Sequence, residues 1–276
     1  MASPDTDPTF SPPTIIRPIS THTHSLILLH GRGDTGPSFS LIAHAATSSR
    51  LTLRHSLPNF KFIFPTALSL HSTPVRRPMN QWFDYLGPHA PYSRPDLQAY
   101  GLRRTTAMLH ELVTAEAEKV GLENVFVGGL SQGCAAALVG CMTLEGRIGG
   151  FVGMSGFLPL AVDFEGIDAQ GREKGHIAVK KVKEIACVHD KQGEACDVGA
   201  FMDTPVFLGH GTADFVVKMK HGEKARDLLI DFGCDVTWKS YQEFGHWYKE
   251  PDEIDDILAF FKGVIEGQNE QEIEHA

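Results

Sequence analysis

The chain has 276 residues, 42% of them hydrophobic and 21% charged, with 27 glycines, 16 prolines and a formal net charge of −9. A disordered chain would carry far fewer apolar residues, and a collagen-like or low-complexity one far more glycine and proline, so the protein is globular. At this size folding buries roughly 75% of the surface of the unfolded chain, enough for one core without metal or disulfide staples, and the acidic sign argues against a nucleic-acid surface, which needs a basic stripe.

Residues 1–20 hold five prolines and no basic region leading into an apolar stretch; they read as a Pro-rich lead-in, not as a signal peptide. Ser25-Leu26-Ile27-Leu28-Leu29 is a short apolar run closed by Gly31 and Gly33, the pattern of a strand buried on both faces. A helix is expected over 38–49, a strand over 60–64 stopping at Pro65, and a loop rich in Pro, Arg and Ser from there to Asp84. Helical spacing follows over 95–119, with Leu97, Leu102, Met108, Leu109 and Leu112 on its inner face. Beyond it come a buried strand at 125–129, a small-residue helix at 132–144, strands at 150–154 and 205–209, a helix near 215–232, a strand at 235–241 and a last helix at 253–265.

Strand and helix alternate throughout, which predicts an α/β fold with a mainly parallel sheet covered on both faces. One domain is expected over 21–267. Within it, residues 163–203 carry 15 charges in 41 positions and lack sustained apolar periodicity, though Ile177 to Val188 can form a short helix or strand, and they read as a solvated excursion, a surface ornament or a lid. Between Glu250 and Ala276 nine acidic residues face a single Lys262, leaving 24 basic and 25 acidic residues in the rest. The body of the chain is therefore expected to be near neutral, with 268–276 a solubilising acidic tail.

Five cysteines, an odd number on a long chain, do not form a secreted disulfide framework; reduced thiols and a cytoplasmic location are expected. No apolar run approaches the roughly 18–20 residues that span a bilayer. Cys187, His189 and Cys196, with His176 nearby, lack a structural zinc spacing, so no metal site is read there.

The sharpest motif is Gly129-Leu130-Ser131-Gln132-Gly133, a G-x-S-x-G between an expected strand and an expected helix. A serine at such a junction sits on a strained turn above the sheet, and its flanking glycines avoid collision with the adjoining elements. Its hydroxyl needs a histidine base, and the histidine a carboxylate to hold its tautomer. In chain order the acid comes before the histidine, each in a loop after a strand. Asp214, in Gly209-His210-Gly211-Thr212-Ala213-Asp214, and His246, in Glu243-Phe244-Gly245-His246, fit those places. His210, His221, His176, His189, Asp203 and Asp227 fit them less well. Oxyanion donors are expected from the main-chain N–H groups of Gln132 and, in the early loop Leu29-His30-Gly31-Arg32-Gly33-Asp34, of Arg32.

Leu29-His30-Gly31-x-Gly33-Asp34, Phe64-Pro65, Trp82-Phe83-Asp84, the serine pentapeptide, Gly209-His210-Gly211-x-x-Asp214-x-x-Val217 and Gly245-His246 together resemble the acyl-protein thioesterase and carboxylesterase family of serine α/β-hydrolases. The resemblance runs from about Ser25 to Phe261, apart from the charged insertion. It implies an α/β-hydrolase without a large cap domain that cleaves thioesters or carboxylic esters, with Ser131, Asp214 and His246 as triad, Arg32 and Gln132 as oxyanion donors, and no cofactor. It also implies that Trp82 lies near the acyl groove. Trp247, which stands where a small residue is common, and Arg32, where an apolar side chain is frequent, both bear on the substrate site. The implied partner is a small-molecule ester or an S-acylated protein. A general carboxylesterase, a hydrolase tailored to one metabolite, and a non-catalytic receptor on the same scaffold stay open as alternatives.

Overall fold

The computed structural model describes residues 8–188 and 199–274. Its main sheet is built from β1 (Thr14–Ile16), β2 (His24–Leu29), β3 (Phe60–Phe64), β6 (Val125–Leu130), β7 (Gly150–Met154), β8 (Val206–Gly211) and β9 (Val236–Tyr241), with β4 (Ser69–Ser72) and β5 (Arg77–Asn80) forming a separate hairpin. The sheet order is β1-β3-β2-β6-β7-β8-β9, parallel except for β1, which pairs antiparallel with β3. The helices are α1 (Gly36–Phe39), α2 (Leu53–Ser56), α3 (Pro95–Val120), α4 (Gln132–Met142), α5 (Ala161–Glu165), α6 (Gly171–Ala186), α7 (Met219–Asp231) and α8 (Asp252–Glu274).

Because side chains alternate along a strand, the apolar run of β2 feeds two cores. Ile27 and Leu29 join Val125, Val127, Phe151 and Leu208 under α3, α4, α6 and α7. Leu26 and Leu28 join Phe62, Phe126, Val152 and Phe207 on the opposite face, closed by Phe39, Leu53, Ile254, Ile257 and Phe261. Phe261 is fully buried, its ring centroid 5.6 Å from Phe60 and 5.0 Å from Phe126. The two-sided cover is what permits continuous apolar strands in a parallel sheet.

Four sequence expectations change. The lead-in is not a loose leader: its residues 14–16 add an edge strand, and Phe10 stacks on Trp82 at 6.5 Å. The expected helix over 38–49 is instead α1 followed by a 3-10 turn over Ser40–His44, with an isolated bridge from Ala46 to Thr52. The charged stretch is no solvated ornament in its described part, because α6 lays Ala178, Val179, Val182 and Ala186 into the core against α3 and α7. These four recur at helical spacing and were masked in the sequence by the charges on the other face of the helix. Finally, helix α8 runs on to Glu274, and the acids at and just before its start are structural: Glu250, ahead of the helix, accepts from the Ala46 N–H at 2.6 Å, Asp255 takes the Ser48 N–H and hydroxyl, and Asp256 pairs with Lys239 at 2.9 Å. Acids in a first turn also suit the positive end of the helix dipole.

Among the described residues no helix is long and apolar enough to cross a membrane. Cys134, Cys141, Cys187 and Cys234 are free thiols. No group of three or more His, Cys, Asp or Glu among the described residues is placed to hold a metal ion; His189 and Cys196 lie outside them.

Candidate active site

Ser131 stands between β6 and α4 with φ 58° and ψ −120°, a conformation that L residues avoid. The turn is held because the Ser131 N–H donates to the Met154 carbonyl at 2.8 Å while its own carbonyl accepts from Ala135 in the first turn of α4. Helix α4 presses so closely on β2 that a Cβ on Gly133 would lie 2.1 Å from the Leu29 carbonyl oxygen and 2.5 Å from that of His30. Glycine is thus required there by close approach of two backbones.

Asp214 and His246 are brought together by the loops after β8 and β9. The Thr212 N–H donates to Tyr241, the Ala213 N–H to Phe244, and the Glu243 N–H to the Thr212 hydroxyl. A Cβ on Gly211 would fall 2.3 Å from the Phe244 carbonyl oxygen, so this contact too is backbone on backbone. Across it His246 Nδ1 lies 2.7 Å from Asp214 Oδ2. The other carboxylate oxygen accepts the N–H groups of Val216 and Val217 at 2.8 and 2.9 Å. Burial alone pushes the Asp214 pKa up, but hydrogen bonds from His210 and His246 outweigh it and hold the carboxyl down at about 2. With Asp214 ionised, the His246 proton belongs on Nδ1, which frees Nε2 as a base.

His210 was read as a weak rival for the base. It is 1% exposed, its Nε2 2.8 Å from the Val217 carbonyl oxygen and 3.3 Å from Asp214 Oδ2. Nε2 must therefore carry a proton shared by both acceptors, and Nδ1 is buried without a partner. It steadies Asp214 from the side opposite to a base's task. His221, buried against Tyr92 at 3.1 Å, is held near pKa 4 by that burial and by neighbouring lysines.

Ser131, His246, Gly31, Arg32, Gly33, Asp34, Ser38, Tyr85, Pro88, Leu130, Val216 and Trp247 line one cleft of about 540 Å³. The main-chain N–H of Gln132, first in α4, has no acceptor within its helix, and a Cβ on Gly31 would sit 3.7 Å from that of Ser131, so the Arg32 loop flanks the serine closely. Trp247, a cleft-lining residue, is 43% exposed, its ring 5.1 Å from that of Tyr248 and tilted 32° to it. Trp82 does not line the cleft. It is 1% exposed, and its indole N–H donates to the His30 carbonyl at 2.7 Å, beneath the early loop.

The sequence reading missed what stiffens this loop. Gln132 is fully buried, its side chain accepting from the Trp82 N–H at 3.0 Å and donating to the Phe83 carbonyl at 2.7 Å. His30 accepts the Ala67 N–H on Nε2 and so donates from Nδ1 to the Gly31 carbonyl at 2.7 Å; burial lowers its pKa and keeps it neutral. Only the Trp-Phe-Asp and His-Gly motifs hinted at these contacts, and neither motif reveals its partner.

A parallel sheet, a serine on the turn after its central strand, and an acid and a histidine on later strand ends define an α/β-hydrolase. A family model described as Phospholipase/Carboxylesterase matches residues 11–177 and 186–265. Acyl-protein thioesterase 1 of Saccharomyces cerevisiae is 31% identical over 244 residues, 86% of this chain and 91% of its own length. Its counterpart in Yarrowia lipolytica is 30% identical over 254 residues, 89% of this chain and 94% of its own. The crystal structure of acyl-protein thioesterase 2 from Zea mays aligns with a TM-score of 0.68 at 26% identity, covering 91% of this chain and 98% of that one. The chain belongs to the phospholipase/carboxylesterase family, hydrolases of esters and thioesters.

Proposed function

We propose that the protein is a serine hydrolase of acyl-protein thioesterase type, working through an acyl-enzyme in the cytoplasm. The observation that carries this is the 2.7 Å His246–Asp214 contact beside a strained Ser131 that opens on the same cleft. Ser131 Oγ attacks the carbonyl carbon of the thioester or ester as His246 Nε2 takes its proton. The main-chain N–H groups of Arg32 and Gln132 receive the oxyanion. His246 returns the proton to the departing thiol or alcohol as its bond to the acyl carbon breaks, then draws one from water as that water attacks the acyl-serine, and gives it to Ser131 Oγ as the acyl–Oγ bond breaks and the carboxylic acid leaves. Asp214 stabilises the imidazolium in both halves. Every proton is carried by a side chain or by water, so the scheme calls on no cofactor. Trp247 forms a wall of the substrate site.

The test is labelling by a fluorophosphonate probe together with turnover of an S-acylated peptide. Wild-type protein is expected to label and to release thiol, and Ser131→Ala to do neither. A folded wild-type protein that does not label refutes the serine mechanism; one that labels and cleaves short aryl esters but no S-acylated peptide makes it a carboxylesterase.

A further inference from the structure

The guanidinium of Arg32 is the unexplained charge in the cleft. Its main-chain N–H has a role in the proposed reaction; its side chain has none. Nε donates to Gln81 Oε1 at 3.0 Å and Nη2 to Ser72 Oγ at 2.5 Å, and the guanidinium carbon lies 4.9 Å from the centre of the Tyr85 ring, itself a cleft wall. Ser72 and Gln81 are fully buried and Tyr85 is 2% exposed. Gln81 is fixed in turn by its own donation to the His71 carbonyl at 2.8 Å.

All three groups that hold the cation are uncharged. Among the described residues no carboxylate is ion-paired with it, Asp34 on the same cleft included. Three other arginines are met by acids, Arg172 by Asp203 at 2.8 Å, Arg94 by Asp96 and Arg226 by Asp227, whereas Arg54, like Arg32, donates to a neutral oxygen, the Arg17 carbonyl. Gln81, Ser72 and Tyr85 engage part of its five N–H groups and orient a rigid fork, the geometry suited to a carboxylate or phosphate. A cation prearranged by neutral groups at a cleft wall is missing its counter-charge until a ligand brings it.

We infer that Arg32 makes this site selective for esters or thioesters that carry an anionic group, a carboxylate or a phosphate, within reach of the cleft. The inference rests on the serine-hydrolase reading above. The anion belongs to the substrate, and its attraction adds to binding and orientation, not to the bond-breaking step.

Matched aryl esters test it. One pair places the charge on the acyl part, 4-nitrophenyl hydrogen suberate against its methyl-capped diester. A second places it on the leaving group, 4-acetoxybenzoate against its methyl ester, and a phosphorylated phenyl acetate against the phosphate dimethyl ester separates phosphate from carboxylate. Wild-type kcat/KM is expected to be at least about tenfold higher on the anionic member of one pair, the worth of a single charge-assisted contact. That ratio, taken within each variant, should fall to within about threefold of unity in Arg32→Met and be partly kept in Arg32→Lys, which retains charge without the fork. Equal wild-type rates on both members of all three pairs overturn the inference. So does an Arg32→Met variant whose rates drop in equal proportion, which would make the arginine only a clip between the early loop and the β4–β5 hairpin. If no ester is cleaved and the fluorophosphonate fails to label, the serine mechanism itself has failed, and the inference with it. If Arg32→Met does not fold, the wild-type pairs and Arg32→Lys decide.

Discussion

Replacing Asp214 by Asn tests the hydrogen-bond logic of the site more sharply than deleting any member of it. The aspartate accepts four contacts, from Val216 and Val217 N–H on one oxygen and from His246 and His210 on the other. An asparagine fits the same space and can keep its oxygen on the two main-chain donors. Its amide then faces His246 Nδ1 at the position where the carboxylate stood 2.7 Å away. Nδ1 must become an acceptor, the imidazole proton moves to Nε2, and the base can no longer take the serine proton. The same amide meets the Nε2–H of His210, so that contact turns from attractive to repulsive while the one to His246 reverses direction. Loss of the correct tautomer lowers kcat by roughly 10⁴, or ~5.5 kcal/mol in the barrier. Stopped-flow or steady-state hydrolysis of a 4-nitrophenyl ester measures it, with circular dichroism as a check that the fold persists. A fall of less than about tenfold in a folded variant would refute the assignment of Asp214 and, with it, the tautomer argument.

Three further outcomes are expected. Ser131→Gly should abolish turnover yet raise thermal stability, by about 1 kcal/mol, because φ 58° and ψ −120° strain any residue with a Cβ; an unchanged or lower melting temperature against Ser131→Ala would count against that strain. Glu253 is 1% exposed with one oxygen unpartnered, and burial pushes its pKa up to about 8 from 4.5. A raised folded-state pKa gives stability that is complete below the unfolded value and is lost as pH rises through the folded one. Wild-type melting temperature should therefore decline between pH 5 and pH 8.5, and Glu253→Gln should flatten that decline by at least about 2 °C; parallel curves would contradict the buried carboxyl. Burial also drives the thiol of Cys134 up to about 12, so iodoacetamide at pH 7.5 should modify exposed Cys187 and spare Cys134 in the native protein, as peptide mass spectrometry would read.

The legible part of the fold was the part with unbroken chemistry. Strands β2, β6, β7 and β8 are apolar on both faces, so a run of such residues announces them, and the serine pentapeptide announces the turn between β6 and α4. Strand β1 left no trace because three residues among prolines at a sheet edge have one half-exposed face. Helix α6 showed only as a candidate short helix or strand over 177–188, its length and burial obscured because a narrow stripe of Ala and Val serves its core face while lysines and glutamates cover much of the rest. Within the candidate site, chain order after strands singles out Ser131, Asp214 and His246, and topology brings the strand ends that carry them together. It carried nothing about direction: Trp82, expected beside the acyl group, points into the core under His30, and the contribution of Gln132 comes from its buried amide as well as its main chain.

The stacking of Phe10 on Trp82 links the first described residues to the reaction centre by a short mechanical path. Trp82 carries the His30 carbonyl on its indole and accepts no slack on its main-chain N–H, which Gln132 holds. Arg104 on α3 ties the same segment down through the Pro8 carbonyl. A stretch outside the cleft thus acts as a brace for the early loop that lines it. Proteolytic trimming before β1, or a bulky fusion pressed against Phe10, would loosen the turnover machinery while leaving every group that touches substrate in the chain.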